Sequence, residues 1–169
     1  MILRDSGAAC ICAAPESHFI FMHYYIDMTE QELIALVMAS FESERTSNPE
    51  VGLALLHPDF RVTEMNVGPD GTVFRTLEGK AVRNLIQSAF QIAAREYQYI
   101  NVVADAQTQV VMMEFVEVSP DPRNGKRFRT PIVAICEIKD RKIYRTRHYT
   151  DDRLSYEYLE QPDIDGVLS

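Results

Sequence analysis

The sequence is short of basic residues, and this shortage limits the partners that the protein can have. Its 17 Lys and Arg stand against 25 Asp and Glu among 169 residues, which gives a formal net charge of −8 at pH 7. A protein that binds the phosphates of a nucleic acid, or an anionic membrane surface, needs a basic patch or stripe. We therefore expect no nucleic acid and no membrane among its partners.

Long apolar runs are also missing. No stretch approaches the roughly 20 apolar residues that a membrane-spanning helix needs. The chain has no long linker rich in Pro, Gly or Ser, no low-complexity block and no internal repeat. Because 46% of the residues are hydrophobic, the composition and length suit one domain with a single core.

Cysteine is scarce, with three residues in the whole chain: Cys10, Cys12 and Cys136. An odd number without a framework spacing favours reduced thiols, and hence a cytoplasmic protein. The Cys10–Cys12 pair has no second cluster that could complete a zinc site.

Other cofactor signals are absent from the sequence too. There is no Gly-rich phosphate loop and no nucleophile elbow. The histidines outside the last strand have no carboxylates at ligand spacing; they are His18, His23 and His57. We therefore expect no metal and no cofactor.

The chain divides into an N-terminal extension of residues 1–27, a domain of residues 28–158 and a tail of residues 159–169. Met28 is followed at once by a strong helix start, since Thr29 and Glu32 form a capping box. The apolar segment 8–14 is too brief for a signal core. We interpret the first 27 residues as a loosely held leader.

Helical patterns dominate the first part of this domain. The first helix runs to about Glu44, and Asn48 with Pro49 begins a second helix that Pro58 should end. A third helix starts near Gly79 and carries an apolar stripe that continues to Ala93.

Strand patterns account for the rest. One strand begins at Asp59, and a turn covers 68–71. Strands over 97–105, 108–119, 126–138 and 142–150 follow, with the widest loop at 119–125. The order of helices, strand, helix and antiparallel meander predicts an α+β fold with the helices on one side of the sheet.

Three segments carry a resemblance to a known family: HPDFRV at 57–62, KDRK at 139–142 and IYRTRHYTD at 143–151. With the order of elements, they resemble the nuclear transport factor 2-like superfamily, and within it the SnoaL-like group. That group is related to ketosteroid isomerases, limonene epoxide hydrolases and phenazine-biosynthesis proteins. The resemblance spans roughly residues 28–158.

The resemblance implies a fold and a pocket. The fold is a cone-shaped half-barrel, in which a curved, mixed but mainly antiparallel sheet wraps on about three N-terminal and crossover helices. The sheet and the helices enclose a mostly apolar pocket. Folds of this superfamily host both enzymes and non-catalytic binders, so the fold alone does not choose between them.

Arg141 departs from the family pattern, because Gly usually stands at this turn position, where φ is commonly positive. A three-residue bulged turn would put Glu137 opposite Arg145, whereas a two-residue turn would put it opposite Tyr144. We adopt the first because it forms a favourable charge pair. Thr146 and His148 then share a face with residues on the preceding strand: Thr130, Ile132, Ala134 and Cys136.

Three residues are candidates for catalysis. By strand alternation Glu64 shares its face with Phe60 and Val62, and the resemblance to ketosteroid isomerases suggests that it is a general base. His148 and Glu117 stand where limonene epoxide hydrolases carry carboxylates, and a histidine can move protons near neutral pH. Each also has a plain structural explanation, as a solvated strand-end carboxylate or a hydrogen-bonded core histidine.

The match to both enzyme types is incomplete. Phe115 stands where the epoxide hydrolases carry an arginine, and the first helix has no tyrosine for the oxyanion hole of a ketosteroid isomerase. We therefore expect neither reaction itself. The further residues predicted to contact a substrate lie on the same pocket face: Val62, Phe115, Thr130, Ile132, Tyr144 and Thr146.

Together these patterns predict a cofactor-independent acid/base enzyme, an isomerase, cyclase or dehydratase, acting on an apolar carbonyl-bearing metabolite. In this hypothesis Glu64 abstracts a proton, His148 donates one or polarises the carbonyl, and Glu117 orients His148. The alternative is a non-catalytic module of the same fold that binds an apolar ligand or a protein partner.

Four arginines crowd two adjacent strands: Arg127, Arg129, Arg145 and Arg147. On the chosen register they lie on the outer face with Glu137, where Asp151 and Asp152 could join them. That charge network favours a homodimer formed through the outer sheet face. If the register slipped by one residue, some arginines would turn inward and form an anion receptor.

Overall fold

The computed structural model describes residues 28–68, 71–92, 94–120 and 127–150. Three helices and six strands follow one another: α1 (Glu30–Arg45), α2 (Pro49–Ala54), β1 (Leu56–Gly68), β2 (Gly71–Glu78), α3 (Gly79–Ala89), β3 (Glu96–Asp105), β4 (Val110–Pro120), β5 (Arg127–Lys139) and β6 (Lys142–Thr150). None of the helices in these ranges is long and apolar enough to cross a membrane. The predicted extension 1–27, with Cys10, Cys12, His18 and His23, lies outside the described residues. So do most of the loop at 119–125 and the end of the chain from Asp151.

Helix α1 begins as its capping box predicts. The Thr29 hydroxyl accepts the backbone N–H of Glu32 at 3.3 Å, and the Glu32 carboxylate accepts the backbone N–H of Thr29 at 2.8 Å. Its apolar side chains Leu33, Val37 and Phe41 are buried at helical spacing. The predicted end near Glu44 agrees with the observed end at Arg45.

Helix α2 also begins where it was predicted, but it ends early. The Asn48 side chain accepts the N–H of Val51 at 3.3 Å, and Pro49 occupies the first helical position. The helix stops at Ala54, so the prediction that Pro58 ends it was wrong. The backbone N–H of Ile143 donates to the Leu55 carbonyl, which draws the chain into the sheet before the proline.

The six strands form one mixed sheet in the order β2-β1-β6-β5-β4-β3. β1 and β6 run parallel, and the other neighbouring strands are antiparallel. The turn before β2 was predicted from the sequence, but a strand over the residues of β2 was not. Phe74, Arg75 and Thr76 are all exposed on this edge strand, so it shows little apolar alternation.

Helix α3 starts at Gly79 as predicted. It ends at Ala89, before the predicted end of its apolar stripe. Ala93, where that stripe ended, lies outside the described residues. Beyond the helix, Ala94 has a φ of 56°, in the left-handed region that stops a helix. The chain then turns from α3 into β3.

The hairpin between β5 and β6 combines a predicted pairing with an unpredicted turn. Glu137 lies opposite Arg145, as expected. Asp140 and Arg141, with φ of 51° and 57°, form a two-residue turn between the paired Lys139 and Lys142, so the predicted three-residue turn was wrong. The bulge comes later, between the Ile138–Ile143 and Glu137–Arg145 pairs, and leaves Tyr144 as the extra residue.

The helices cover one face of the sheet. α1 packs on β3 and β4, while α3 packs on β1 and β2. Apolar side chains from this inner face form the core with those of the helices, and the most fully buried include Leu33, Val37, Val111, Met113 and Phe115. The α+β architecture with its helices on one side agrees with the fold expected from the sequence.

Candidate active site

A cavity of about 320 Å³ lies between the helices and the inner face of the sheet. Most of its wall is apolar. Phe41 comes from α1, Phe60 and Val62 from β1, Phe115 from β4, and Ile143 from β6. A cavity of this size with a few polar groups among hydrophobic ones is typical of a small-molecule site.

Glu64 and His148 form one polar part of the wall. They lie directly opposite each other in the parallel pairing of β1 with β6, and both line the cavity. The Glu64 side chain is 13% exposed and accepts a 2.5 Å hydrogen bond from the Arg75 Nε of β2. Arg75 itself is half exposed, so the ion pair lies where the cavity meets solvent.

His148 is held in its neutral form. Burial lowers its pKa below 6.5, the nearby Glu64 carboxylate opposes this shift, and the positive charge of Arg95 adds to it. The imidazole is therefore uncharged near neutral pH, with one nitrogen able to donate a proton and the other able to accept one.

A second polar group of the wall, here named the Arg95 cluster, consists of Arg95, Tyr97, Glu44 and Glu117. The Nη1 of Arg95 donates to the Glu44 carboxylate at 2.7 Å and to the Tyr97 hydroxyl at 3.2 Å, and that hydroxyl donates to Glu44 at 2.9 Å. The Nε of Arg95 lies 3.4 Å from the Glu117 carboxylate. All four residues line the cavity.

Burial sets the protonation of this cluster. It raises the pKa of the Tyr97 phenol, and Glu44 raises it further, so the hydroxyl keeps its proton and acts as a donor. Burial also raises the pKa of Glu44, although Arg95 opposes that shift. For Arg95, burial acts to lower the pKa, but Glu117, Tyr97 and Glu44 outweigh it and the net shift is upward.

Most of the residues predicted for the site do line the cavity. The candidate catalytic residues Glu64, Glu117 and His148 do so together with Val62, Phe115, Ile132 and Thr146. Thr130 is not in the wall, although it lies opposite Glu117 in the pairing of β4 with β5. The roles of these residues in catalysis or binding remain predictions.

Tyr144 was expected on the pocket face, and the structure corrects this. The bulge at Tyr144 interrupts the alternation of β6, so Ile143 and Thr146 both line the cavity while Tyr144 does not. Its ring packs edge-on against His57 at 5.2 Å, and its hydroxyl accepts a hydrogen bond from Arg61 at 3.2 Å.

Three residues of the cavity wall were not predicted from the sequence as site residues: Glu44, Arg95 and Tyr97. Glu44 had a usable signal, since it follows Val37 and Phe41 on the buried face of α1 at helical spacing. Arg95 had none, because it lies in the irregular segment after α3. Arg95 reaches Glu117 from the segment just before β3, with its Nε 3.4 Å from the carboxylate.

The structure shows the strand arginines pairing away from the cavity. Arg145 and Arg147 lie 3.8 and 3.0 Å from the Glu137 carboxylate, and neither lines the cavity. Arg127 binds the Ala94 carbonyl at 2.8 Å, and Arg129 binds the Gln98 side chain at 3.1 Å. This agrees with the chosen register rather than the slipped one.

Metal ligands do not gather at the cavity. Across the residues that the structure describes, no three side chains of His, Cys, Asp or Glu come together as a metal site requires. Cys136 lines the wall, and burial raises its thiol pKa to about 12, so it stays protonated and unreactive.

Comparison with known proteins agrees with this architecture. Residues 37–146 match the SnoaL-like domain family. No curated protein matches the sequence.

Solved structures share the fold at low sequence identity. An LEH-like epoxide hydrolase from M. tuberculosis superposes with a TM-score of 0.61 at 20% identity, covering 77% of this chain and 86% of that one. A proposed SnoaL-like polyketide cyclase from Jannaschia sp. CCS1 has a TM-score of 0.61 at 16% identity, with coverage of 79% and 94%. A proposed isomerase from Bacillus subtilis has a TM-score of 0.63 at 18% identity, with coverage of 77% and 94%.

Proposed function

Since this chain belongs to the SnoaL-like domain family, we propose that its cavity is the active site of an acid/base enzyme acting on an apolar, carbonyl-bearing small molecule. The reaction is an isomerisation, a cyclisation or a dehydration. The observation that carries the proposal is the pairing of Glu64 with a neutral His148 on a mostly apolar wall.

The two residues have different roles in the reaction. Glu64 takes the proton from the carbon next to the carbonyl, and the electrons of the broken C–H bond move into the enolate. The neutral imidazole of His148 donates a hydrogen bond to the carbonyl oxygen and so stabilises the negative charge that develops there. The proton on Glu64 is then returned to the product or lost to water.

Glu117 has a different part in this scheme from the one that the sequence suggested. Its carboxylate lies 3.4 Å from the Nε of Arg95, and Glu117 is not among the charges that shift the pKa of His148. These contacts support a role in positioning Arg95 rather than His148.

Deuterium exchange tests the proton abstraction without requiring the natural substrate. We expect the protein to accelerate exchange at the α-carbons of 2-tetralone in D2O, measured by proton NMR against the buffer rate. Glu64→Gln should lower the protein-catalysed rate at least about 100-fold, the range for loss of a general base. Glu50→Gln makes the same change at an exposed position on α2 and should leave the rate unchanged.

His148→Ala completes the test. We expect it to lower the exchange rate as well, because the developing oxyanion loses its donor. Unchanged exchange in both Glu64→Gln and His148→Ala would remove the assignment of these residues.

The Arg75–Glu64 ion pair favours a second candidate, a non-catalytic binding module. Arg75 occupies one oxygen of the Glu64 carboxylate, and that oxygen is then not available to take a proton from a substrate. A binding module would take up 2-tetralone, detected by calorimetry, with no acceleration of exchange in the parent protein. Arg75→Gln distinguishes the two further, since it should alter the exchange rate of an enzyme and leave a pure binder inactive.

A further inference from the structure

We infer that the Arg95 cluster binds a hydroxyl group of the substrate, at a point distant from the carbonyl that meets Glu64 and His148. This inference rests on the proposed function and narrows the substrate class to hydroxylated carbonyl compounds. It begins from a polar atom that the protein leaves without a hydrogen bond.

That atom is the Nε of Arg95. The residue is 7% exposed, and its Nε is buried without a hydrogen-bond partner, although its Nη1 is fully engaged by Glu44 and Tyr97. A buried donor without a partner costs free energy, which a ligand acceptor would recover. The Arg95 side chain lines the cavity, so a ligand bound in the cavity lies next to the guanidinium.

The nearest acceptor, the Glu117 carboxylate, lies 3.4 Å from this nitrogen without completing a hydrogen bond. One oxygen can lie about 2.9 Å from both atoms, within the normal range for hydrogen bonds. A hydroxyl in that position accepts from the Arg95 Nε and donates to Glu117, whose carboxylate has room for several donors. A carbonyl or ether oxygen meets only the first of these needs.

Charge makes a neutral group the best match. Two carboxylates, Glu44 and Glu117, already lie against the single guanidinium of Arg95, so an anionic ligand group would add a third negative group beside one positive charge. A cationic group would be repelled by Arg95 and would have to leave water. A hydroxyl satisfies both partners without adding charge.

The register of the sheet separates this hydroxyl from the reacting carbonyl. Ala134 lies opposite both His148 and Met113, and Glu117 is four residues beyond Met113 on β4. In a sheet this offset is about 13 Å along the strands and about 10 Å across them, measured between backbone positions. The two polar groups of the wall therefore contact different ends of a ligand.

Three tetralones that differ at one position test the inference. Calorimetry on the full chain would compare 2-tetralone, 6-hydroxy-2-tetralone and 6-methoxy-2-tetralone. We expect the hydroxy ketone to bind at least about 10-fold more tightly than the parent ketone, a gain of 1.4 kcal/mol by the standard conversion. The methoxy ketone can accept but not donate, and should gain less.

Two variants locate the effect. Arg95→Lys keeps the charge but removes the Nε donor, and Glu117→Leu removes the acceptor. Each should bring the ratio of the affinities for the hydroxy and parent ketones close to one. Tyr99→Phe is the matched control, because Tyr99 is near Tyr97 on β3 but does not line the cavity, and it should keep the full ratio. Circular dichroism checks that both variants fold. If Arg95→Lys does not fold, the affinity ratio measured for Glu117→Leu alone decides the test.

The outcomes separate the two proposals. Equal binding of the hydroxy and parent ketones would overturn the hydroxyl site and leave the proposed function standing. Tighter binding of a 6-carboxylate analogue would also overturn it, in favour of an anion site. Failure of every tetralone to bind or to exchange deuterium would overturn the proposed function and the inference together.

Discussion

His148 and Arg95 are both ionisable groups on the cavity wall, and their surroundings act on them in different ways. Burial dominates at His148, where the Glu64 carboxylate only partly opposes it, and the imidazole stays neutral. At Arg95 the neighbouring carboxylates outweigh burial, and the guanidinium stays charged. One wall thus holds a neutral proton carrier in one place and a fixed positive charge in another, so it can contact two different groups of a ligand.

The lowered pKa of His148 predicts that the domain loses stability in mild acid. Because the folded pKa lies below the unfolded value of 6.5, the unfolded chain binds more protons between these two values. The stability that His148 contributes as a neutral buried imidazole is fully present above pH 6.5. It is lost as the pH falls from 6.5 toward the lowered pKa of the folded state. We expect His148→Asn to flatten the dependence of the unfolding free energy on pH in this window, as measured by urea denaturation.

A cavity residue without a titratable side chain provides the control for this measurement. Thr146 lies two residues before His148 on β6 and also lines the cavity. Thr146→Val changes the wall without removing an ionisable group and should keep the slope of the parent protein between pH 5 and 7. If His148→Asn also kept that slope, the imidazole would not be the group that charges on unfolding.

The elements that the sequence predicted well are those whose signals are local. The capping box of α1 and the Asn48-Pro49 start of α2 are satisfied by neighbouring atoms, so a few residues specify each of them. β2 was not predicted because three successive residues, Phe74, Arg75 and Thr76, are all exposed, so the strand shows little apolar alternation. The bulge at Tyr144 was not predicted either, because tertiary packing on His57 and Arg61, rather than a sequence pattern, holds that side chain outside.

The turn between β5 and β6 is the element that the sequence specifies least well. Asp140 and Arg141 both adopt positive φ, which costs most residues about 1 kcal/mol or more relative to glycine. We expect the double change Asp140→Asn with Arg141→Gly, the preferred pair for a type I′ turn, to raise the unfolding free energy by about 1 kcal/mol. Urea denaturation measures this change directly.

Arg141→Ala is the matched control for the turn. It removes the exposed ion pair of Arg141 with Glu32 but leaves a side chain at positive φ. Since exposed ion pairs contribute little, we expect almost no gain from this variant. If Arg141→Ala raised the unfolding free energy as much as the Asn-Gly turn does, the lost charge and not the backbone would be the cause.

At the scale of the whole molecule, the site combines parts that are distant in the chain. Strand alternation predicted that Glu64 and His148 face the cavity, the family resemblance indicated Glu117, and all three line the cavity. Arg95 and Glu44 meet only because α1 packs on β3, a long-range contact that no local pattern reveals. The sequence could therefore predict one half of the polar wall and not the other.

The outer face of the sheet carries exposed apolar side chains beside its charge pairs. Val103 and Met112 are directly paired, Val133 is paired with Tyr149, and all four are at least 36% exposed. Contiguous exposed apolar groups rimmed by charges are typical of protein interfaces, and a two-fold axis would place the same patch on both subunits. We propose that the chain forms a homodimer through this face.

Sedimentation velocity of two matched variants tests this proposal. Val133→Asp puts a charge at the centre of the patch and should shift the protein from dimer to monomer at micromolar concentration. Val51→Asp makes the same change at an exposed position on α2, away from the sheet, and should sediment as the parent does. Because an aspartate cannot be buried unpaired at low cost, a dimer that survives Val133→Asp must form through another surface.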